Sequence, residues 1–398
     1  MAKTFTANKV MKIKILILSA ILIISAFATG CGMLNTISSN VYGLVGLSDT
    51  ATVIAKRANI RSSYAVVAAD LLEVQRGDVL EIIEDIESQD KVHWFRVRAK
   101  DDDATEGWIE SQNVITGETL AKSKKLAEED KDLQPQAKAE LKAVSNLRLS
   151  PDQNPANVLY KLQSGATFDV ISWKYVPKAE TATDDSKEAK NAKPKTKNEE
   201  IEAAKEANQP EQLDDKYDVW YKVRLSPDIS PAPEGWLFGR QVELSVPSDI
   251  AFFQIGATKF VTFQRLDDIV EDDKAINKDG AKIFKPGNWV ILSRSNQVRS
   301  TDGNEPDFDG IMVLGYDKYR QEYYPVYKRG EVYKRGVVFG NIPLKVEGTG
   351  DNKTFTVKIK DASGQSVEKR FQVFKKEGRL EVTPPTDLLE KVEDDKKK

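Results

Sequence analysis

The chain has 398 residues, of which 40% are apolar and 30% are charged, and its net charge is −3. This composition excludes a polytopic membrane protein, and the slightly acidic balance excludes a general nucleic-acid-binding protein, which needs a basic surface. There is one cysteine, Cys31, and one histidine, His93, so an intramolecular disulfide is impossible and a Cys/His zinc site lacks ligands. We expect no metal, no cofactor and no nucleic-acid partner.

Residues 1–30 have the pattern of a secretory signal peptide. Lysines precede the apolar run Ile15–Ala28, whose length of about 14 residues is too short for a comfortable membrane-spanning helix. The run leads into Ala28-Thr29-Gly30-Cys31. This segment resembles the lipobox of bacterial lipoproteins. The resemblance implies cleavage between Gly30 and Cys31 and attachment of acyl chains such as palmitate at Cys31, with residues 31–52 as a lipidated tether.

The resemblance also predicts a location. Two or three acyl chains anchor a protein stably to a membrane, and loss of the leader removes four lysines, which takes the net charge from −3 to −7. Gly32 follows the cysteine where enteric lipoproteins retained at the inner membrane tend to have aspartate. The expectation is the cell envelope, at the periplasmic face of the outer membrane where one exists. A signal anchor is the alternative, and translation starts at Met1 or Met11.

Two later segments carry the same four sequence blocks in the same order, which indicates an internal repeat. The blocks are Asn59–Ser63, Val74–Asp78, Trp94–Arg98 and Glu106–Ile109 in the first copy, and Asn146–Ser150, Leu162–Ala166, Trp220–Arg224 and Glu234–Leu237 in the second. Phe95 and Val97 alternate with arginines, a period of two that predicts a half-buried antiparallel strand. Gly77 and Gly165 lie where turns favour positive φ.

Together these blocks resemble bacterial SH3 (SH3b) domains, over residues 53–116 and 143–246. The resemblance implies two small SH3-like β-barrels that bind peptidoglycan or envelope proteins and catalyse no reaction. The polar stretch 117–142 is predicted to be a charged linker. The second copy carries an insertion at 178–216 with almost no apolar side chains, and such a segment is predicted to be disordered because burial cannot offset its ordering entropy.

The candidate ligand contacts of the modules are aromatic or imidazole side chains: Tyr64, His93, Trp94, Trp173, Tyr175 and Trp220. The repeated tryptophans fit the module cores equally well, since aromatic rings supply much of the buried area of a small core. No acid or nucleophile partner of His93 is evident in the sequence. Asp101–Asp103 is predicted to be a solvated loop, because adjacent carboxylates point in different directions.

Residues 248–383 are predicted to form an antiparallel β-meander or barrel, because short β-type runs alternate with Gly and Pro turns. A helix or irregular lead-in is expected at 263–273. A barrel would hold a small apolar ligand among its tyrosines, and a filled core is the alternative. The segment 302–313 lacks the Gly and Glu of a calcium loop, so an acidic hairpin loop is expected. Residues 384–398 form a charged tail.

The expected fold class is therefore mainly β, with two SH3-like barrels, a C-terminal antiparallel domain and disordered linkers. The expected function is that of a non-catalytic, membrane-anchored envelope lipoprotein that binds the cell wall or envelope proteins. One alternative is a carrier of a small apolar ligand in the C-terminal domain. A second is a cell-wall hydrolase or its accessory. The chain has no nucleophile-elbow or H-E-x-x-H motif, although paired-carboxylate chemistry stays open.

Overall fold

The structure is a computed structural model that describes residues 49–65, 67–178, 211–267, 270–276, 282–285, 287–300, 302–317, 320, 322–330, 336, 338–349, 352–361 and 363–388. The predicted signal peptide, the lipidation site at Gly30 and Cys31, most of the insertion and the end of the charged tail lie outside the described residues. None of the helices among the described residues is long and apolar enough to cross a lipid bilayer.

The predicted mainly β fold class is confirmed, and the strands pair antiparallel throughout. The chain divides into two compact units, residues 1–122 and 123–398. The first unit contains the first module. The second unit contains the second module and the C-terminal domain.

The first module is one seven-stranded sheet in the order β3-β2-β6-β5-β4-β1-β7. Its strands are β1 (Thr50–Val53), β2 (Arg57–Arg61), β3 (Asp70–Gln75), β4 (Val79–Glu87), β5 (His93–Arg98), β6 (Glu106–Glu110) and β7 (Val114–Thr116). All seven strands contribute buried side chains to a single core, among them Val53, Ile60 and Val97. The sheet therefore wraps around this core as a small half-barrel.

The second module repeats this topology strand for strand, in the order β10-β9-β13-β12-β11-β8-β14. Its strands are β8 (Ala137–Leu141), β9 (Ser145–Arg148), β10 (Val158–Leu162), β11 (Thr167–Pro177), β12 (Tyr217–Arg224), β13 (Glu234–Phe238) and β14 (Val242–Leu244). Even a β-bulge recurs, since the register shifts between Ile82 and Glu84 in β4 and between Val170 and Ser172 in β11. The four sequence blocks thus mark a repeat of structure.

The predicted linker at 117–142 is wrong. Helix α1 (Gly117–Glu129) and strand β8 occupy most of it. Lys and Glu are good helix formers, and Lys122 pairs with Glu118 one turn earlier at 2.8 Å. In β8 the buried positions are mainly alanines, whose small side chains gave only a weak hydrophobic signal.

The predicted disorder of 178–216 is wrong for the end of that insertion. Residues 211–216 are ordered and include the short helix α2 (Leu213–Lys216). Gln212 forms a β-bridge with Gln297, and the N–H of Val298 donates to the carbonyl of Glu211 at 2.8 Å. The last residues of the insertion are therefore hydrogen-bonded to the C-terminal domain.

The C-terminal domain consists of two four-stranded antiparallel meanders and a separate hairpin. Their strands are β15 (Lys259–Arg265), β16 (Val270–Ile276), β17 (Lys282–Lys285), β18 (Trp289–Arg294), β19 (Gly310–Asp317), β20 (Glu322–Arg329), β21 (Gly340–Thr349), β22 (Asn352–Lys360), β23 (Ser366–Lys376) and β24 (Arg379–Thr383). The first meander is β15-β18-β19-β20, the second is β21-β22-β23-β24, and β16 pairs with β17. The helix or irregular lead-in predicted at 263–273 is wrong, because residues 263–265 end strand β15 and residues 270–273 belong to strand β16, which pairs with β17.

The two meanders share one filled core. Side chains from both sheets, including Val313, Phe355 and Phe371, form a single buried cluster. The rings of Phe355 and Phe371 stack with centroids 4.4 Å apart, and Tyr327 contacts Phe371 edge-on at 5.7 Å. The interior between the sheets is thus occupied by side chains, which argues against the apolar-carrier alternative.

The opposite face of the first meander is covered by the second module. Ala137 of β8 clusters with buried residues of the meander such as Trp289 and Met312. Gln136 joins the two bodies by hydrogen bonds: its backbone carbonyl accepts from the Thr262 hydroxyl at 2.6 Å, and its side-chain carbonyl accepts from the Leu344 N–H at 2.8 Å. The second module and the C-terminal domain therefore share a continuous interior.

Candidate functional site

A groove of about 420 Å³ lies on the second module, where β9, β10, β12 and β13 approach one another. It is lined by Val144, Ser145, Asn146, Arg148, Gln153, Lys161, Trp220, Phe238 and Gln241. This volume is within the usual range for a small-ligand site. The lining includes Trp220, one of the predicted ligand contacts, and side chains that the sequence did not single out.

Strand pairing places the two aromatic rings of the groove side by side. Trp220 of β12 is directly opposite Phe238 of β13, and their ring centroids are 5.2 Å apart. Trp220 is 3% exposed and offers almost no surface to a ligand, whereas Phe238 is half-buried and supplies the accessible ring. The guanidinium carbon of Arg148 lies 6.0 Å from the Trp220 ring centroid. The site therefore combines an apolar surface with a cation at its edge.

The groove carries two cations, and the charge of Arg148 acts on Asp152, whose pKa is lowered chiefly by hydrogen bonds from Ser150 and Asn157. Arg148 donates to the backbone carbonyl of Asn154 at 2.9 Å, and Lys161 is exposed. Neither cation forms an ion pair within the described part of the chain. Asp152, in the loop after β9, accepts hydrogen bonds from the Ser150 hydroxyl at 2.7 Å and from the Asn157 amide at 2.9 Å.

The first module has the same arginine–tryptophan pair but different surroundings. The guanidinium carbon of Arg61 lies 6.0 Å from the Trp94 ring centroid, and Trp94 is 5% exposed. Arg61 pairs with Asp70 at 3.6 Å, and Arg57 pairs with Glu73 at 3.8 Å. The arginine of the first copy is therefore neutralised by its neighbours.

The sequence blocks align two further positions of opposite character. Glu73 stands where the second module has Lys161, and each residue faces the matching asparagine of the first repeat block across the sheet. Glu110 stands where the second module has Phe238. The two modules therefore share a fold and differ in charge at these two positions.

Two of the predicted ligand contacts, Trp173 and Tyr175, are placed wrongly by the sequence. Trp173 is 7% exposed and contacts Tyr221 edge-on at 6.3 Å. Burial raises the pKa of the Tyr175 phenol far above its usual value, with Arg294 and Asp307 of the C-terminal domain beside it. Trp173 is buried beside Asp307 and Tyr175 is half-buried beside Arg294, so both side chains lie next to the C-terminal domain.

Tyr64 and His93 lie at the surface of the first module. Tyr64 is 47% exposed and contacts Trp108 edge-on at 5.2 Å. His93 contacts the Phe95 ring at 5.0 Å, and its Nε2 lies 3.3 Å from a carboxylate oxygen of Asp85. This acid could not be predicted from the sequence, because cross-strand neighbours are known only once the strand register is known. Both side chains of this contact are largely exposed.

A buried cluster of charged groups beneath β13 was also missed by the sequence. The Glu234 side chain is fully buried and lies near Asp130, which contacts Lys222. Burial raises the pKa of Glu234 to about 8, and the Asp130 carboxyl adds to the rise. Ser123 of α1 donates its hydroxyl to the Glu234 carbonyl at 2.6 Å. The cluster and the Ser123 hydrogen bond join helix α1 to the module.

The acidic segment at 302–313 is less exposed than an acidic hairpin loop would be. Glu305 and Asp309 are buried and pair with Arg294 at 2.6 Å and 3.1 Å, and Arg299 also reaches Asp309 at 3.2 Å. Because these acids form ion pairs with arginines, they contribute to the packing of the domain. Among the described residues, no group of three or more His, Cys, Asp or Glu side chains is arranged to hold a metal ion.

Comparisons with known proteins add nothing to these observations. No model of a known protein family matches the chain, and no curated protein matches it. The repeat and the groove of the second module are therefore the features that bear on function.

Proposed function

We propose that this protein is a membrane-anchored, non-catalytic lipoprotein of the bacterial cell envelope that binds the cell wall or envelope proteins through its two β-modules. The observation that carries the proposal is the duplication, in which two modules of identical strand order each present an arginine beside a buried tryptophan. The lipobox at 28–31 supplies the anchor. Anchoring raises the effective concentration of the modules near wall and membrane partners.

A binding role is also supported by the location of the two acids whose pKa values are shifted. A paired-carboxylate hydrolase needs two carboxyl groups that face an open cleft on either side of the substrate. The acid pair of the second module, Glu234 and Asp130, instead lies under helix α1 and contacts Lys222. This placement favours a structural role for the pair.

The anchor is tested by Cys31→Ser in cells fed a labelled fatty acid. The expected result is that the native protein incorporates label and sediments with membranes, whereas the variant loses both properties. Ser38→Ala, downstream of the lipobox, is the matched control and is expected to behave as the native protein. Unchanged labelling and membrane association in the Cys31 variant would refute the lipoprotein assignment.

Binding to the wall is tested with the lipid-free chain, residues 32–398, sedimented with purified peptidoglycan. Retention on peptidoglycan but not on chitin, a related polymer without peptides, is expected. If the chain is retained neither by peptidoglycan nor by immobilised envelope protein extract, the proposed binding function is wrong.

A further inference from the structure

We infer that the loop between the second module and the C-terminal domain inserts an apolar tip into the surface of a lipid bilayer. This tip loop is residues 251–257, with the sequence Ala-Phe-Phe-Gln-Ile-Gly-Ala. The inference goes beyond binding by the β-modules, and it rests on the proposed function only for the anchor that holds the chain at a membrane. It adds a second, non-covalent contact with the same membrane.

The tip loop exposes large apolar side chains. Phe252 is 75% exposed and Ile255 is 47% exposed, and the last two residues of the loop are exposed as well. No residue between Asp249 and Lys259 is charged. Single exposed apolar residues are common, but neighbouring ones with no charge among them are typical of a contact surface for a protein or a membrane.

The tip loop has a fixed structure of its own. Ile250 is fully buried just before it, and Phe253 packs against a buried cluster of the C-terminal domain. The Phe253 N–H donates to the Ile250 carbonyl at 3.0 Å, and the Gln254 N–H donates to the Ala251 carbonyl at 3.2 Å. The Gln254 side-chain carbonyl accepts the Phe260 N–H at 3.1 Å. Polar groups that are paired within the protein can enter an apolar layer, whereas unpaired ones cannot.

The charged residues at the two ends of the loop are compatible with contact with lipid. The Asp249 carboxylate accepts the Tyr323 hydroxyl at 2.9 Å, so this acid is engaged with the domain. Lys259 is exposed, and its ammonium lies 3.8 Å from a carboxylate oxygen of Asp214. A long lysine side chain at the rim of an apolar tip can extend towards lipid phosphates.

A lipid surface fits the tip loop better than a folded partner does. A stable protein interface buries about 800 Å² on each partner, and two protruding side chains supply much less. Their insertion into a bilayer is a weak contact by itself, as it is for a single acyl chain. Anchoring at Cys31 would strengthen it, because tethering raises the effective concentration of the tip loop at the bilayer.

The test replaces the acyl chains by a histidine tag at the start of residues 32–398, bound to vesicles of phosphatidylethanolamine, phosphatidylglycerol and a nickel-chelating lipid. These residues contain no cysteine, so Ala257→Cys places a single environment-sensitive fluorophore on the tip loop. Its emission should shift to shorter wavelength, and nitroxide-labelled acyl chains should quench it. The same label at Gln163→Cys, in an exposed turn of the second module, is the control and should stay unquenched.

Variants assign the quenching to the two protruding side chains. Phe252→Ser combined with Ile255→Ser should lower the equilibrium constant for insertion about tenfold or more, because their apolar surface stays in water. Val144→Ser removes another apolar side chain that is 49% exposed, so it is the matched control and should leave the quenching unchanged. Unfolding curves verify that each variant is folded.

Three results would each overturn the inference: an unquenched label at Ala257, equal quenching at Gln163, or native quenching in the double variant. An emission shift that appears without vesicles and grows with protein concentration would show that the tip loop pairs with a second copy, and would overturn it too.

The outcomes separate this inference from the proposed function. Because the tag replaces the acyl chains, the quenching does not depend on lipidation of Cys31. An unquenched tip loop would leave the lipoprotein assignment standing. Failure of the Cys31→Ser experiment would remove the natural anchor and leave the measured insertion standing.

Discussion

Glu234 and Glu106 occupy the same position of the two modules, but their surroundings shift their pKa values in opposite directions. Glu234 is fully buried, and burial together with the Asp130 carboxyl raises its pKa to about 8. Glu106 is exposed, and its hydrogen bond with Arg98 lowers its pKa. Burial of a carboxyl favours its neutral form, whereas a neighbouring guanidinium favours the charged form. One residue type therefore makes opposite contributions to the pH dependence of stability.

Glu234 is expected to make the native protein less stable as the pH rises from about 4.5 to about 8. The unfolded carboxyl has a pKa near 4.5 and the folded one near 8, so within this window the folded protein holds a proton that the unfolded chain has released. The free energy of unfolding should fall by at most about 1.4 kcal/mol for each pH unit across the window. Glu234→Gln, which stays neutral, should abolish this slope.

Denaturant unfolding at pH 5, 6, 7 and 8 measures the slope. Glu106→Gln is the matched control and should retain it, because the lowered pKa of Glu106 affects stability only at lower pH. A slope that persists undiminished in Glu234→Gln would show that Glu234 does not hold the proton.

The glycine before each repeated tryptophan is required by the close approach of two strands. A Cβ on Gly235 would lie 2.8 Å from Cγ of Leu147, and one on Gly107 would lie 2.5 Å from the carbonyl oxygen of Arg61. Leu147 is fully buried and has no room to move. We expect Gly235→Ala to lower the free energy of unfolding by about 1–3 kcal/mol, as overpacking does, and Gly107→Ala to cost at least as much because it meets backbone.

Unfolding curves of the two glycine variants test this explanation. Lys161→Ala, at an exposed position of β10 nearby, is the control and should change stability little. Native stability in both glycine variants would mean that the strands can separate without cost.

The sequence predicted strands well where apolar and charged side chains alternate. It predicted elements poorly where only a few small side chains are buried. The repeated blocks located β5 and β12, because large apolar residues alternate with charged ones there. Helix α1 was missed, because it presents only a narrow buried stripe that includes the polar Ser123. A buried serine carries no hydrophobic signal, and its partner is 111 residues away in the chain.

Ser123 is expected to hold helix α1 on the second module. Its hydroxyl donates to the Glu234 carbonyl at 2.6 Å and accepts from the Glu234 N–H at 3.1 Å. Ser123→Ala leaves both backbone groups without this partner, so we expect a loss of about 1–3 kcal/mol. Alanine has a higher helix propensity than serine, so propensity alone would stabilise helix α1 in the variant.

Hydrogen exchange of the α1 amides, together with denaturant unfolding, measures the effect. Lys124→Ala, one residue along on the exposed side of the helix, is the control and should leave exchange unchanged or slower. Unchanged exchange in Ser123→Ala would show that the helix is held by its apolar contacts alone.

The sequence located part of the candidate site. Trp220 was predicted because tryptophan is conspicuous in a repeat block, but Lys161 was not, since an exposed lysine resembles any other. Trp173 and Tyr175 were misplaced for a different reason. Their burial depends on the C-terminal domain, and no local pattern reveals contact between domains far apart in the chain.

The junction between the second module and the C-terminal domain is expected to depend on Gln136. This side chain is 1% exposed and accepts the Leu344 N–H at 2.8 Å, while its own amide group donates to the Gln134 carbonyl at 2.9 Å. Gln136→Ala leaves the buried Leu344 N–H without a hydrogen-bond acceptor. The expected loss is about 1–3 kcal/mol, the usual cost of an unsatisfied buried donor.

Because the two bodies share a continuous interior, this loss should lower one calorimetric transition that contains both the second module and the C-terminal domain. The transition of residues 49–122, which belong to the other compact unit, should keep its midpoint. Gln134→Ala, whose side chain is exposed and whose carbonyl survives the change, is the control and should match the native protein. If Gln136→Ala instead splits the transition in two, the hydrogen bonds of Gln136 are what couples the module to the domain. If no midpoint moves, the apolar cluster around Trp289 is sufficient to hold them together and the role assigned to Gln136 is wrong.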